Sequence, residues 1–164
     1  MACAANRTHD GSLHTLDVED RARPGCWVGV MTDLTPLLSD PGTTIAVVGA
    51  TDRPGKYGGI IYRDLKSKGY RVFPVNPYRD SVDGDHCYRS IKDLPQPPTI
   101  ADFVIPAKRG LGVLDECAEA GVENIWVQPG AESPELIEKL EQGPFNWSVR
   151  ACIMVRARPV AAWG

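Results

Sequence analysis

The stretch Thr43-Thr44-Ile45-Ala46-Val47-Val48-Gly49-Ala50-Thr51-Asp52-Arg53-Pro54-Gly55-Lys56-Tyr57-Gly58-Gly59 reads as a buried strand, a glycine turn and the opening of a helix. Ile45-Ala46-Val47-Val48 is a short apolar, largely β-branched run closed by Gly49, the pattern of a strand covered on both faces. A helix is expected over residues 56–68, with Ile60, Ile61 and Leu65 facing inward and Gly69 ending it. The unit then repeats. Residues 70–75 supply a second strand. Residues 101–105 supply a third, stopped by Pro106, and a helix over 109–120 follows with Leu111, Leu114 and Ala118 on one face and Gly121 at its end. Asn124-Ile125-Trp126-Val127 is the fourth strand. Ser133-Pro134-Glu135 combines a capping residue, a proline at the first helical position and a first-turn acid. Residues 148–155 give the last strand.

Strands that alternate with helices pair in parallel, because each parallel connection needs a crossover. Right-handed crossovers turn this pattern into a three-layer, doubly wound α/β fold with about five strands, in the expected order 3-2-1-4-5. Such a sheet opens a ligand crevice at the carboxyl ends of its strands, where the order reverses. That order puts the reversal between strands 1 and 4, with loops 49–57 and 128–133 facing it and loops 76–79 and 106–109 beside it.

Around this pattern the chain has 164 residues, 43% hydrophobic and 24% charged, with a net charge of −3. This is globular composition, and it gives no electrostatic reason to expect nucleic-acid binding. No apolar run approaches the roughly 20 residues that cross a bilayer, so no membrane partner is expected. Cys3, Cys26, Cys87, Cys117 and Cys152 stand alone, without C-x-x-C spacing, as in a reduced cytoplasmic chain. Residues 1–40 hold no sustained period. Residues 1–34 read as a disordered extension to a domain over 35–164, with a short helix at Thr35-Pro36-Leu37-Leu38 capped by Thr35. A second reading makes Met31 the true start and residues 1–30 a gene-calling artefact.

The loop after strand 1 carries the candidate chemistry. Backbone amides at a helix start attract anions, and Gly49 permits the tight turn while Thr51 and Arg53 add a hydroxyl and a cation. Together these can cradle a pyrophosphate. The loop is neither Gly-x-Gly-x-x-Gly, because Thr51 stands at the second glycine position, nor a Walker A sequence. An ordinary glycine turn would look the same. After strand 2, dinucleotide sites that take NAD place an acid for the ribose 2′-hydroxyl. Asn76-Pro77-Tyr78-Arg79 has none. An arginine there suits a ribose carrying an extra phosphate, as in NADP or coenzyme A, although a solvated loop charge explains it too.

Ile45-Ala46-Val47-Val48-Gly49-Ala50-Thr51-Asp52-Arg53-Pro54, Gly69-Tyr70-Arg71-Val72-Phe73-Pro74-Val75-Asn76-Pro77, Ile125-Trp126-Val127-Gln128-Pro129-Gly130-Ala131 and Cys152-Ile153-Met154-Val155 resemble the small CoA-binding-domain proteins related to the N-terminal domain of the succinyl-CoA synthetase α subunit. The resemblance spans roughly residues 37–158. It implies a Rossmann-like fold of the NAD(P)-binding-domain type that binds CoA or acyl-CoA, with pyrophosphate on the first loop and adenosine near the end of the second strand. By position it assigns Gly49, Thr51, Arg53 and Pro54 to the pyrophosphate, Asn76 and Pro77 to the adenosine, and Pro106 with Ala107 to the opposite side. In relatives a lysine often follows Asn-Pro. Here Tyr78 stands there, a departure from the pattern, and Arg79 next to it is the residue that could supply the cation for a 3′-phosphate. The candidate set is Gly49, Ala50, Thr51, Arg53, Pro54, Lys56, Tyr57, Asn76, Pro77, Arg79, Pro106 and Gln128, with no metal ligand and no catalytic residue.

The chain stops before the second domain that carries the synthetase's phosphorylated histidine, and no nucleophile–base pair stands at known spacing. The leading expectation is therefore a binding module for CoA that does no chemistry of its own. Two alternatives stay open: an NADP-dependent oxidoreductase domain, and a redox or partner-interaction protein using Cys152, with Arg150 and Arg156 as activating cations. A buried, inert Cys152 in the last strand is the plain reading of that residue. Phe73, Phe103 and Trp126 are expected in the core. Trp163 is a candidate contact to a protein partner or a second subunit.

Overall fold

Side chains along the first long strand alternate between two apolar faces, and both faces are covered. Ile45 and Val47 pack with Ile61, Tyr62 and Leu65 of one helix, whereas Ala46 and Val48 pack with Leu114, Cys117, Leu136 and Leu140 of two others. The computed structural model describes residues 29–160. Its strands are β1 (Val30–Met31), β2 (Thr44–Val48), β3 (Arg71–Val75), β4 (Ser81–Val82), β5 (Asp85–His86), β6 (Ile100–Phe103), β7 (Asn124–Val127) and β8 (Asn146–Ser148). Its helices are α1 (Tyr57–Ser67), α2 (Ala107–Ala120), α3 (Pro134–Gln142) and α4 (Ile153–Arg156). Helices α1 and α4 cover one face of the sheet and α2 and α3 the other, the expected three-layer Rossmann-like architecture.

Among the described residues six strands form one parallel sheet, ordered β1-β8-β7-β6-β2-β3, and β4 pairs with β5 as a separate antiparallel hairpin. This corrects the expected strand order. The third long strand, β6, lies beside the first, not beyond the second. Tyr88 takes the place a third strand would need on the outer edge of β3: its N–H donates to the Pro74 carbonyl at 2.9 Å and its carbonyl accepts from the Asn76 N–H at 2.8 Å. The long connection then runs back over β2, anchored by Ile91 and Leu94 in the core beneath α2. The reversal therefore falls between β2 and β6, and the crevice moves with it.

Other expectations are corrected locally. The last strand ends at Ser148, because Arg150 adopts a left-handed conformation (φ 65°) and Cys152 then caps α4. The segment of residues 152–155 is thus a helix start, and Cys152 is only partly buried. Ile60 is exposed, and Tyr62 takes its place in the core. On α2 the buried positions are Gly110, Leu114 and Cys117, with Ala118 outside. The short segment Thr35–Ser39 is a 3-10 helix whose N-cap is Leu34, with Asp33 accepting from the Thr35 amide at 3.0 Å.

Residues 29–34 also do not belong to an extension. Val30 and Met31 pair with Asn146 and Trp147 of β8, and Leu34 is buried. Residues 1–28, with the start-site reading that concerns them, and Trp163 lie outside the described residues. Phe73, Phe103 and Trp126 are buried as expected. Among the described residues no helix is long and apolar enough to cross a membrane.

Candidate functional site

The turn after β2 is built on backbone constraints. Gly49 sits at φ +99°, a left-handed conformation that L side chains rarely adopt, and a Cβ there would lie 2.7 Å from Ile105 Cγ2. The Gly49 amide donates to the Val75 carbonyl at 2.8 Å, which ties the turn to the end of β3. Thr51 Oγ1 accepts from the Arg53 amide at 3.2 Å and shapes the loop from within. The loop after β3 is stitched on by Asn76, whose Nδ2 donates to the Ala50 carbonyl at 2.9 Å. Asn76 Oδ1 accepts from the Tyr78 amide at 3.0 Å, so the same side chain also fixes its own turn.

Between these loops and α2 lies a cleft of about 790 Å³, a volume in the range of small-molecule and cofactor sites. It sits at the β2/β6 reversal. Gly49, Thr51, Arg53, Lys56, Tyr57 and Gly58 line one side. Asn76, Pro77, Tyr78 and Arg79 line a second. Val104, Ile105, Pro106, Arg109, Gly112, Val113 and Glu116 line the third. The structure thus brings together nine of the twelve expected residues. Ala50 is buried behind the loop and contributes its carbonyl to Asn76. Pro54 and Gln128 are not among the lining residues. Gln128 is buried two strands away from β2, where its Nε2 donates to Asp102 Oδ1 at 2.7 Å. Cys152 does not line the cleft either.

The electrostatics of the cleft suit an anion. Helices α1 and α2 both begin at it, with Lys56 and Pro106 as N-caps, and neither start has a side-chain cap. Helix α3, away from the cleft, is capped by Ser133. Uncapped first-turn amides carry unsatisfied donors and the positive end of the helix dipole. Arg53, Lys56 and Arg109 have no carboxylate partner among the described residues, whereas Arg79 pairs with Asp52. Tyr57 and Tyr78 are 70% and 76% exposed, and the Arg109 guanidinium stands 5.5 Å from the Tyr78 ring centre. Among the described residues the one acid lining the cleft, Glu116, is engaged by Ser90 Oγ at 2.6 Å.

The α2 wall is what the sequence reading missed. Its signal was Arg109-Gly110-Leu111-Gly112. Gly110 packs closely, since a Cβ there would lie 3.2 Å from Leu136 Cδ1 and that side chain would have to give by a few tenths of an ångström. Gly112 has no such reason: a Cβ would meet nothing within 4 Å, and the position opens on the cleft. Gly112→Ala is expected to stabilise the fold by about 0.5–1 kcal/mol through helix propensity alone. A urea midpoint below that of the parent would show that Gly112 holds strain that the backbone conceals.

Comparison with known proteins places this geometry. A family model described as a CoA binding domain matches residues 43–158. The α subunit of an ADP-forming acetate–CoA ligase II from Pyrococcus furiosus is 38% identical over 84 residues, covering 51% of this chain and 18% of the relative. An ADP-forming acetate–CoA ligase from Methanocaldococcus jannaschii is 34% identical over 111 residues, covering 65% and 16%. The chain therefore spans less than a fifth of these ligases. A solved structure of a conserved hypothetical protein from Pyrococcus furiosus is 49% identical, with a TM-score of 0.67, and the match covers 69% of this chain and 97% of that one.

Proposed function

The chain belongs to the CoA-binding domain family, and from that premise we propose that it is a binding module for coenzyme A or an acyl-CoA that catalyses nothing itself. One observation carries the reading: the β2/β6 cleft joins two uncapped helix starts to Arg53, Lys56 and Arg109, three cations without a carboxylate partner among the described residues. The first turn of α1, with Arg53 and Lys56, would hold the diphosphate. Arg79 would take the ribose 3′-phosphate, and Tyr78 and Pro77 would border the adenosine. CoA brings a thiol that carries acyl groups. The cleft residues bind and orient it. Among the described residues none of the lining side chains forms a nucleophile–base pair, and Cys152 lies off the cleft, which favours this reading over a mixed disulfide with CoA.

Calorimetric titration with CoA, dephospho-CoA and NADPH tests the proposal. CoA is expected to bind, dephospho-CoA more weakly. Arg53→Ala and Lys56→Ala are each expected to weaken CoA on the order of tenfold, as the loss of one charge-assisted contact. No heat with CoA, or NADPH bound in its place, defeats the reading. Turnover of an acyl-CoA by the purified chain defeats the claim that it is only a binder.

A further inference from the structure

The four cations lining the cleft are not equivalent. Arg53, Lys56 and Arg109 face the cleft without a carboxylate partner among the described residues, whereas Arg79 donates from Nη1 to Asp52 Oδ1. The pair joins the two loops on either side of the cleft. Asp52 comes from the turn after β2, Arg79 from the turn after β3. The backbone beneath Arg79 is fixed. Its amide donates to the Asn76 carbonyl at 3.3 Å, and Asn76 is itself tied to Ala50. The guanidinium side chain can change partner without moving the loop. The side chain of Arg79 is 22% exposed and that of Asp52 42%, so a ligand can reach the pair from solvent.

We propose that Asp52 is a counter-ion gate on Arg79, withholding its guanidinium from anions too weak to displace a carboxylate and yielding it to a phosphomonoester. The inference rests on the CoA reading and concerns the selectivity of the same cleft. A partly exposed ion pair is weak, and solvent and salt screen it. A phosphomonoester carries close to two charges near neutral pH and offers three acceptor oxygens to the planar guanidinium fork. Exchange of Asp52 for such a group is favourable. Exchange for a ribose hydroxyl is not. A diphosphate bridge, with one charge per phosphorus, is already served by Arg53 and Lys56. The gate thus suits a ligand with a diphosphate and a separate terminal phosphate, and it reduces capture of free inorganic phosphate. Because the phosphate must first displace the Asp52 carboxylate from Arg79, the gate also lowers the affinity for the ligand it admits.

The test is a cycle of the parent, Asp52→Asn, Arg79→Ala and the double variant, each titrated with CoA and with dephospho-CoA, with inorganic phosphate as competitor. Asp52→Asn is expected to tighten CoA about two- to fivefold, the scale of one exposed ion pair. Dephospho-CoA should stay within about twofold, and phosphate should compete better against CoA. In the Arg79→Ala background the Asp52 substitution should have no effect on CoA. An unchanged ratio of CoA to dephospho-CoA affinity in Asp52→Asn overturns the gate and leaves the CoA reading standing. So does weaker CoA binding, which would make Asp52 a positioning residue, or an effect that survives removal of Arg79. A parent protein that binds no CoA overturns both.

Discussion

Gly58→Ala is expected to destabilise the protein by about 3 kcal/mol, the upper end for forced overpacking, and to abolish binding in the cleft. A Cβ at Gly58 would stand 2.0 Å from the Gly49 carbonyl oxygen and 2.9 Å from its carbon. The neighbouring Gly59 is equally constrained, with Thr51 O at 2.3 Å from an added Cβ. These clashes are with backbone, so no rotamer change relieves them. Either α1 withdraws from the turn or the turn opens, and both outcomes displace the amides that face the cleft. Urea denaturation measures the loss, with Gly112→Ala as a control for the general effect of adding a methyl to a helix. A Gly58→Ala midpoint within error of the parent would mean that α1 does not rest on the turn as described.

The second large effect is at Asp102, on the central strand β6. Its side chain is fully buried, Oδ1 accepts from Gln128, and Oδ2 has no partner among the described residues. Burial disfavours the charged carboxylate more than the Gln128 hydrogen bond favours it, and the pKa is pushed up to about 7. The unfolded chain ionises near the ordinary value of 3.8, so between pH 4 and 7 the folded state binds the proton that the unfolded state releases. Stability conferred by the neutral acid is whole below pH 4 and falls as pH rises towards 7, by up to about 4 kcal/mol. Above that the loss levels off. Asp102→Asn keeps an acceptor for Gln128 and cannot ionise. It is expected to match the parent at pH 4 and to exceed it by a few kcal/mol at pH 8. Parallel stability curves for the two proteins from pH 4 to 8 would overturn this account.

How much of the molecule could be read in the chain turns on one residue. The strand–helix alternation and the layer architecture follow from apolar periodicity, and each long element except the last strand lies within a few residues of its expected place. The strand order does not follow from periodicity, because two orders satisfy the same pattern and the same crossover hand. Pro74 carried the missing information. Its carbonyl points away from β2, towards Tyr88, and proline has no N–H to offer on that side. A proline inside a strand marks an edge, so the second strand cannot be flanked by a full third one. Placing it centrally shifted the reversal one strand too far. That single displacement sent one wall of the site to Gln128 and left Gly112 and Glu116 on α2 out of it, with only the loop 106–109 placed beside the crevice. The turn after β2 was legible because its residues are contiguous. The α2 wall was not, because its proximity depends on topology. The Asp52–Arg79 pair, spanning 27 positions of sequence, was likewise out of reach.

Gly29 and Val160, the first and last described residues, are both held by backbone hydrogen bonds at the ends of helices. Gly29 donates to the Glu141 carbonyl near the end of α3, and Val160 donates to the Lys68 carbonyl just past the end of α1. Crossover helices in a parallel sheet finish beside the amino ends of the strands, so Gly29 and Val160 both lie on the rim away from the cleft. A surface tether or a fused reporter attached beside Gly29 or Val160 would therefore sit on the rim opposite the mouth of the cleft, which makes immobilised-protein binding assays a natural format for this molecule.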